Sequence, residues 1–304
     1  MQVMTVTGPV AGDALGFVLP HEHVFWNHML EYRGEGLMED EELAVLEVEH
    51  AVRAGVRTIV DTTNRDIGRQ PEKTRSVARR LGLNIVLGSG WYRHPFIDRA
   101  YFDSRSTDDV AADIVRDLEV GIDGTDVRAG IIGEIGCDRH ITAHEERSFR
   151  AAARAHRKTG VTITTHAARW PVGLAQLDVL EQEGVDPGRV IIGHSDVFHP
   201  QDYQVALARR GAFVQFDNLN GQSDYDVRKQ IADIQNLIGE GFLERLLLSM
   251  DICVRSQFKV YGGIGYDYLP TRFLPLLREA GIVEEQIQLM TVENPRRALT
   301  GDDL

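Results

Sequence analysis

The sequence predicts an α/β protein of the TIM type, a parallel (β/α)8 barrel, because short apolar segments alternate with amphipathic ones along its 304 residues. Eight of the apolar segments have the length of strands, and they are almost continuously hydrophobic, as strands buried on both faces should be. The amphipathic segments carry apolar residues at three- and four-residue spacing, which is typical of helices. We therefore expect residues 1–304 to form one barrel domain, with residues 1–15 as a short N-terminal extension.

The predicted strands recur at intervals that leave room for a connecting helix between most of them. The helical pattern is clearest in DEELAVLEVEHAVRAG and HEERSFRAAARAHRKTG, and several such segments end in glycine, which favours a helix C-cap. A last helix is expected after Val292, introduced by Asn294 and Pro295. We expect the eight strands near residues 16–23, 58–63, 84–91, 129–136, 162–167, 190–196, 212–218 and 245–251.

The composition narrows the class of protein. Lys and Arg number 33 against 46 Asp and Glu, and a net charge of −13 without a basic run argues against binding nucleic acid or an anionic membrane. We see no signal peptide and no apolar run long enough to span a membrane. Two cysteines are too few for a disulfide framework. We therefore expect a cytoplasmic protein with a small-molecule partner, and a homodimer is compatible with the sequence because barrels often pair through their helix faces.

Four histidines and two carboxylates end or directly follow predicted strands. Because the C-terminal ends of all barrel strands converge on one rim, we expect these six side chains to form one cluster. Imidazoles and carboxylates are ligands that borderline-hard divalent metals bind in proteins. The two histidines of the first strand are two residues apart and therefore share a face, with Glu22 on the other face. The predicted metal ligands are His21, His23, Glu134, His166, His194 and Asp251.

Glu134 is unusual, because a carboxylate within an apolar strand is costly unless it is paired or metal-bound. One interpretation is an ion pair with an arginine across the barrel top. The other, which we favour, is a bridge between two metal ions, which need an anion between them. Asp196 shares the strand parity of His194 and is a candidate to support it, whereas the aspartate that ends the seventh strand has no assigned role. We interpret Cys137 and Cys253 as ordinary thiols, since no CxxC spacing is present.

With these motifs the chain resembles the phosphotriesterase family of the amidohydrolase superfamily, metal-dependent hydrolases built on a (β/α)8 barrel. The segments AGIIGEIG, GHSD, FVQFD, LLLSMD, GGIGYDY and VENP make it similar to the phosphotriesterase-homology, lactonase-like subgroup. The resemblance implies that Glu134 replaces the carboxylated lysine with which better-known members bridge their metals. A carboxylate keeps the single negative charge and the two oxygens of a carbamate, but its shorter side chain requires a shifted backbone.

The resemblance also implies how the ligands are divided. His21, His23 and Asp251 hold the more buried of two divalent ions, the histidines that end strands five and six hold the more exposed one, and Glu134 bridges them together with a hydroxide. Ions of this kind lower the pKa of water and polarise a scissile bond, and Asp251 can take the proton and pass it to the leaving group. The ligand set suits zinc, with manganese, cobalt or iron as alternatives.

Candidate substrate-binding residues lie in two loops. The segment after the eighth strand, ICVRSQFKVYGGIGYDYLP, has the content of a loop that closes over a ligand. Arg255 and Lys259 would suit a carboxylate or phosphate on the substrate, and Tyr266 and Tyr268 complete this set. The alternative is a solvated loop whose charges only keep it soluble. Tyr92, after the third strand, is a candidate to orient a substrate carbonyl, and the alternative is an aromatic side chain packed at the rim.

The expected function is metal-dependent hydrolysis of a small ester. The resemblance suggests a lactone, such as a sugar lactone bearing a phosphate or another anionic group. N-acyl amides, simple carboxylic esters and phosphotriesters stay open as substrates, because all of them admit attack by the same metal-bridging hydroxide. An alternative of another class is a non-catalytic binding protein that keeps its metals as part of the fold, although structural metal sites tend to be closed. The absence of a GxSxG motif leaves a serine hydrolase without support.

Overall fold

The computed structural model describes residues 1–168, 170–197, 200–221 and 223–302. Eight parallel strands form a nearly closed barrel surrounded by helices, which confirms the predicted fold class. Two small antiparallel pairs, β1 with β2 and β4 with β5, lie outside this sheet. The strands are β1 (Gln2–Thr5), β2 (Gly8–Ala11), β3 (Phe17–Glu22), β4 (Trp26–Asn27), β5 (Leu37–Met38), β6 (Val56–Asp61), β7 (Asn84–Ser89), β8 (Ile131–Gly136), β9 (Ile163–His166), β10 (Val190–Ile192), β11 (Phe213–Phe216) and β12 (Leu246–Leu248).

Most barrel strands are followed by a helix with its own capping residues. In α6 the Thr142 side chain accepts a hydrogen bond from Glu145 N, the Glu145 side chain accepts one from Thr142 N, and Gly160 ends the helix at a φ of +73°. None of the helices described is long and apolar enough to cross a membrane. The helices are α1 (Met29–Tyr32), α2 (Glu41–Arg53), α3 (Pro71–Leu81), α4 (Arg99–Asp103), α5 (Thr107–Glu119), α6 (Ala143–Thr159), α7 (Gly173–Gln182), α8 (Gln201–Arg209), α9 (Asp224–Gly239), α10 (Leu274–Glu279), α11 (Glu284–Gln288) and α12 (Asn294–Thr300).

The barrel strands run in the order β3, β6, β7, β8, β9, β10, β11 and β12, so that each pairs with the next along the chain. Polar groups join β12 to β3 at the seam. His21 N donates to Ser249 Oγ at 3.1 Å, and Asp251 N donates to His21 O at 3.3 Å. The Glu22 carboxylate accepts a hydrogen bond from Ile252 N at 2.8 Å. The seam therefore fixes the end of β3, with its histidines, beside Asp251.

The barrel interior is apolar at its lower end and polar at the rim. Buried residues from seven barrel strands pack there with Val3 and Leu15 of the N-terminal segment and with Leu299 of α12, which close the bottom. A second apolar cluster fills the space between the sheet and the surrounding helices. The seven strand residues of the lower interior are Val18, Val60, Val86, Ile131, Ile191, Phe213 and Leu247.

The predicted strands all exist, and two of them end three or more residues earlier than expected. The expectation extended β10 to residue 196 and β12 to residue 251, whereas the strands end at Ile192 and Leu248. His194 and Asp251 have φ values of +55° and +52°, in the left-handed region that non-glycine residues rarely adopt. The chain therefore leaves the sheet just before each predicted ligand. Such conformations persist only where the surroundings hold them, and they are frequent at functional sites.

Candidate active site

The structure brings the six predicted metal ligands together at the C-terminal rim. His21 Nε2 lies 3.5 Å from Glu134 Oε2 and 3.8 Å from Asp251 Oδ1. His23 Nε2 lies 3.3 Å from Asp251 Oδ1 and 3.6 Å from Glu134 Oε1. Both imidazoles and the Glu134 carboxylate are buried, and Asp251 is mostly so. These contacts group the two histidines of β3 with Asp251 and Glu134.

A second group forms around the histidines of strands β9 and β10. His166 Nδ1 lies 3.2 Å from Glu134 Oε2 and 2.8 Å from His194 Nε2, which itself lies 3.5 Å from the same oxygen. Glu134 therefore belongs to both groups, since Oε1 faces His23 and Oε2 lies near His21 as well as His166 and His194. Among the described residues, three sets have ligand atoms within 4.8 Å of one another: His21, His194 and Asp251; His21, His23 and Glu134; Glu134, His166 and His194.

A β-bulge in β8 places Glu134. Gly133 and Glu134 stand opposite the single residue Thr164 of β9, because the register shifts by one residue there, and the peptide bond between them is cis. Gly133 has a φ of +116°, and a Cβ at this position would lie 2.1 Å from Thr164 O. Only glycine fits such a close backbone approach. This local shift in register sets the position of the Glu134 side chain.

These residues fit divalent metal ions. His21 Nε2 is buried and has no hydrogen-bond partner among the described residues, a costly state for a polar atom unless its lone pair binds a cation. Within the same part of the chain, the ion-pair partners of Glu134, Asp217 and Asp251 are all histidines. The arginine partner considered for Glu134 is therefore not found there. Among the described residues these buried carboxylates have no Arg or Lys partner, and metal ions would supply the positive charge.

Asp217, for which the sequence suggested no role, orients two of the histidines. Asp217 Oδ1 lies 2.7 Å from His194 Nδ1, and Oδ2 lies 3.3 Å from His21 Nδ1. Thr63 Oγ1 lies 2.8 Å from His23 Nδ1 in the same way. In each case the contact is made to Nδ1, and the Nε2 atom of the ring is left facing the site. Metal-binding histidines are commonly oriented by an outer hydrogen-bond partner in this way. The sequence signal that could have revealed this role is the position of Asp217 at the end of the seventh barrel strand.

Asp196 supports the site indirectly, through hydrogen bonds to the neighbouring segment. Its carboxylate accepts hydrogen bonds from Asp217 N at 3.3 Å, Asn218 N at 3.2 Å and Gln230 Nε2 at 2.9 Å. Burial, together with the neighbouring Asp217 charge, raises the pKa of Asp196 to about 7. Asp196 therefore holds the segment that carries Asp217.

Burial and neighbouring charges set the protonation of the ligands. Burial lowers the pKa of His166 to about 4, assisted by His194, and burial also lowers the pKa of His21. Burial would lower the pKa of His194 too, but Asp217 outweighs it and holds that pKa well above the usual value. Burial would raise the pKa of Glu134, yet the imidazoles, His21 first, hold it well below its usual range. Glu134 is thus ionised and the imidazoles of His21 and His166 are neutral, which are the states that bind metals, whereas His194 would have to release a proton to bind one.

A cavity of about 390 Å³ lies over the cluster, a size that suits a small molecule. Trp26 and Tyr32, which closely follow the histidine pair, were not predicted from the sequence. The Trp26 ring lies against that of His23 with 3.9 Å between ring centroids and an angle of 48° between the planes. Burial raises the pKa of Cys253 well above its usual value, as expected for an ordinary thiol. Five of the six predicted ligands, all but His21, line the cavity together with Trp26, Tyr32, Tyr92, Arg93, Ala168, Val197, Asn218 and Cys253.

Tyr92 is the one member of the five candidate substrate residues that lines this cavity. Its hydroxyl lies 3.2 Å from His166 Nδ1, and burial raises the pKa of Tyr92 well above its usual value, so that it stays protonated. Tyr266 instead donates its hydroxyl proton to His23 O at 2.6 Å and is buried beneath the site. Tyr268 packs close to Gly221, outside the cavity walls. Tyr266 therefore supports β3, and Tyr268 is remote from the ligands.

The two cations expected to face the substrate lie away from the cavity. Arg255 Nη2 donates to Tyr261 Oη at 2.5 Å and borders a separate groove. Lys259 Nζ pairs with Asp267 Oδ2 at 2.5 Å. The segment folds back on itself, and each charge is used by a partner within it. The structure therefore does not support the expectation that these side chains bind an anionic substrate.

The comparison with known proteins decides the family. The model of the phosphotriesterase family matches residues 1–299. The chain belongs to the phosphotriesterase family. Within this family, the Escherichia coli phosphotriesterase homology protein, solved with phosphate in its active site, is 37% identical with a TM-score of 0.91, covering 95% of this chain and 100% of that one.

Two further family relatives indicate the type of bond that is cleaved. A lactonase from Listeria monocytogenes is 28% identical with a TM-score of 0.90, and the match covers 99% of each chain. An N-acetyltaurine hydrolase from Dictyostelium discoideum is 32% identical over 291 residues, covering 90% of this chain and 78% of the relative. With the family match and the clustered metal ligands, this phosphotriesterase-family chain is a metal-dependent hydrolase of ester or amide bonds.

Proposed function

We propose that this protein is a lactonase with two divalent metal ions. His21, His23 and Asp251 would hold one ion, the histidines of β9 and β10 the other, and Glu134 would lie between them. The observation that carries the proposal is the orientation of the Glu134 carboxylate, whose Oε1 lies 3.6 Å from His23 Nε2 while Oε2 lies 3.2 Å from His166 Nδ1. When bound, two such ions lower the pKa of water towards neutrality and polarise the scissile carbonyl.

The protein residues would then orient the substrate and move the proton. Asp251 lines the cavity beside His23 and accepts the proton of the attacking water, which it returns to the leaving alkoxide as the ring opens. The protonated hydroxyl of Tyr92 donates a hydrogen bond to the substrate carbonyl oxygen. Trp26 and Tyr32 cover the apolar part of the lactone and exclude water from it.

The described residues that line the cavity suit an uncharged lactone better than the anionic lactone suggested by the sequence. Arg255 and Lys259 are used elsewhere, and the one cation among the described lining residues, Arg93, is paired with Glu31 and Asp138. Zinc suits the nitrogen and oxygen donors, and manganese, cobalt or iron would fit the same set. The partner in this proposal is a small molecule, and neither the homodimer nor the cytoplasmic location has gained support beyond the sequence.

An N-acyl amide is the second candidate substrate, because the Dictyostelium discoideum relative is named an N-acetyltaurine hydrolase. Simple carboxylic esters and phosphotriesters would be hydrolysed at the same metal site. The six predicted metal-binding residues therefore do not distinguish between these substrates. A non-catalytic metal protein is less well supported, since five of the six predicted ligands line a cavity rather than a closed site.

The test is proton release in a weakly buffered solution with a pH indicator. Protein loaded with zinc or manganese is offered plain, hydroxylated and phosphorylated lactones, with N-acetyltaurine, a simple ester and a phosphotriester as comparators. The proposal predicts turnover of one lactone subset, with the uncharged lactones preferred. Turnover confined to the amide would replace the lactonase proposal, and a fully metallated protein inactive on every compound would favour the non-catalytic alternative.

A further inference from the structure

Arg93 is a buried cation in the cavity wall that takes no part in the proposed reaction. Only 2% of the residue is exposed. Its Nη1 donates to Asp138 Oδ2 at 3.1 Å, and its Nη2 donates to Glu31. Glu31 lies in α1 after β3, Arg93 follows β7, and Asp138 follows β8. One guanidinium therefore joins three of the loops that form the rim.

The same guanidinium lies against Tyr92. Its carbon is 5.1 Å from the centroid of the Tyr92 ring and 5.2 Å from that of Phe96, within the range of cation–π attraction. The backbone N–H of Tyr92 is held separately, because it donates to both carboxylate oxygens of Asp66 at 3.0 and 3.1 Å. Arg93 also packs tightly on β8, since a Cβ at Gly136 would lie 3.2 Å from Arg93 Cβ. Asp66 thus fixes the backbone of Tyr92, and Arg93 restrains its ring.

We propose that Arg93 is a positioning residue that holds the Tyr92 hydroxyl at the place where the substrate carbonyl binds. The inference rests on the proposed hydrolase function and adds a residue to it. Only arginine suits this place, because its planar fork can bridge two carboxylates while its face lies on an aromatic ring, which a lysine ammonium cannot do. A hydroxyl held in this way donates its hydrogen bond without losing rotational freedom when the substrate arrives.

The kinetic test is a double-mutant cycle between Arg93→Lys and Tyr92→Phe, measured on the lactone that the wild-type protein hydrolyses best. Each single variant is expected to lower kcat/KM about tenfold, the loss typical of one neutral hydrogen bond. The double variant should be no slower than Tyr92→Phe alone, because Arg93 acts through the hydroxyl that this variant lacks. The proposal would be overturned if Arg93→Lys lowered kcat/KM by the same factor in the wild-type and the Tyr92→Phe background. It would also be overturned if Arg93→Lys alone left kcat/KM unchanged.

A matched control separates positioning from general loss of ion pairs. Arg150 also bridges two carboxylates, Glu146 at 2.7 Å and Glu183 at 3.1 Å, but on the outer helices of the barrel. Arg150→Lys should leave kcat/KM within about twofold of the wild type, since surface ion pairs contribute little. If Arg93→Lys does not fold, Asp138→Asn loosens the same clamp, and its kinetic loss should likewise vanish when Tyr92 is replaced by Phe.

A crystal structure of Arg93→Lys supplies a readout that does not depend on turnover. The wild-type distance from Tyr92 Oη to His166 Nδ1 is 3.2 Å. The proposal predicts that the Tyr92 ring leaves this position or occupies two positions in the variant. An unmoved Tyr92 hydroxyl would overturn it. If the wild-type protein hydrolyses no compound of the panel, the proposed function fails, whereas this structure still decides the role of Arg93.

Discussion

Glu134 is the residue on which the proposed metal centre depends, because it faces both groups of histidines. Glu134→Ala should lose metal and activity together, and turnover should fall at least about 100-fold. Replacing even a residue that only hydrogen-bonds to a metal ligand typically lowers metal affinity or activity 10–100-fold. The measurement is metal content per chain by atomic emission, paired with lactone hydrolysis, and circular dichroism verifies the fold. A variant that retains both ions at full occupancy would refute the bridge.

Asp251 is proposed to carry the proton as well as to bind metal. Asp251→Asn keeps an oxygen donor but cannot accept a proton, so that some metal should remain while kcat falls about 10²- to 10⁴-fold. The measurement is kcat at full metal loading, verified by metal analysis of the same sample. Near-normal turnover would remove Asp251 as the proton carrier.

Asp217 was identified from the structure alone, through its contacts with His21 and His194. Asp217→Asn should weaken metal affinity about 10- to 100-fold, because the amide cannot anchor both imidazoles as a carboxylate does. Competition with a chelator of known affinity measures this directly. Added metal should restore much of the activity, and an unchanged affinity would show that Asp217 does not tune the ligands.

The β8 bulge is the element that sets the position of Glu134. Gly133→Ala should lower the free energy of unfolding by about 1–3 kcal/mol, because alanine is strained at a φ of +116° and its Cβ would meet Thr164 O. Urea unfolding measures the change. Gly239→Ala in α9 is the control, since a Cβ there meets nothing within 4 Å, and it should be neutral or slightly stabilising. Equal stability of both variants would contradict the account of the bulge.

The sequence predicted the barrel strands well because their signal is local and strong. Strands buried on both faces are continuous apolar runs, so that β7, for example, begins at Asn84 as expected. The ends of β10 and β12 were less predictable, since His194 and Asp251 leave the sheet through backbone conformations that the surrounding contacts impose. The bulge at Gly133 was foreseen only as a need for a shifted backbone, because the register of a strand depends on its neighbours.

At the scale of the whole molecule, barrel closure turns six dispersed residues into one cluster. That convergence follows from topology, and the sequence therefore located the candidate ligands without knowing their distances. The contacts made by rim loops depend on how each loop folds back on itself, which the residue pattern does not reveal. Arg255 and Lys259 could not be placed by composition, because Tyr261 and Asp267 compete with any substrate for them. Three expectations stay predictions: that residues 1–304 form one domain, that the protein is a homodimer, and that it is cytoplasmic.

Metal removal should destabilise the whole barrel, because the ligands come from strands spread around the sheet. An ion present at about 100 times its Kd adds about 2.7 kcal/mol to the free energy of unfolding, so that chelation should lower Tm by several degrees. Differential scanning calorimetry with and without a chelator measures the shift. The same treatment of Glu134→Ala is the control and should change Tm little. Equal shifts in both proteins would show that the stabilising ion binds elsewhere.

The most direct test of the two-ion site is a crystal structure of the zinc-loaded protein with anomalous data at the zinc edge. The account predicts two anomalous peaks, with the Glu134 carboxylate between them. One peak should contact His21, His23 and Asp251, and the other should contact the histidines of β9 and β10. A single peak, or two peaks of which only one contacts Glu134, would contradict the account.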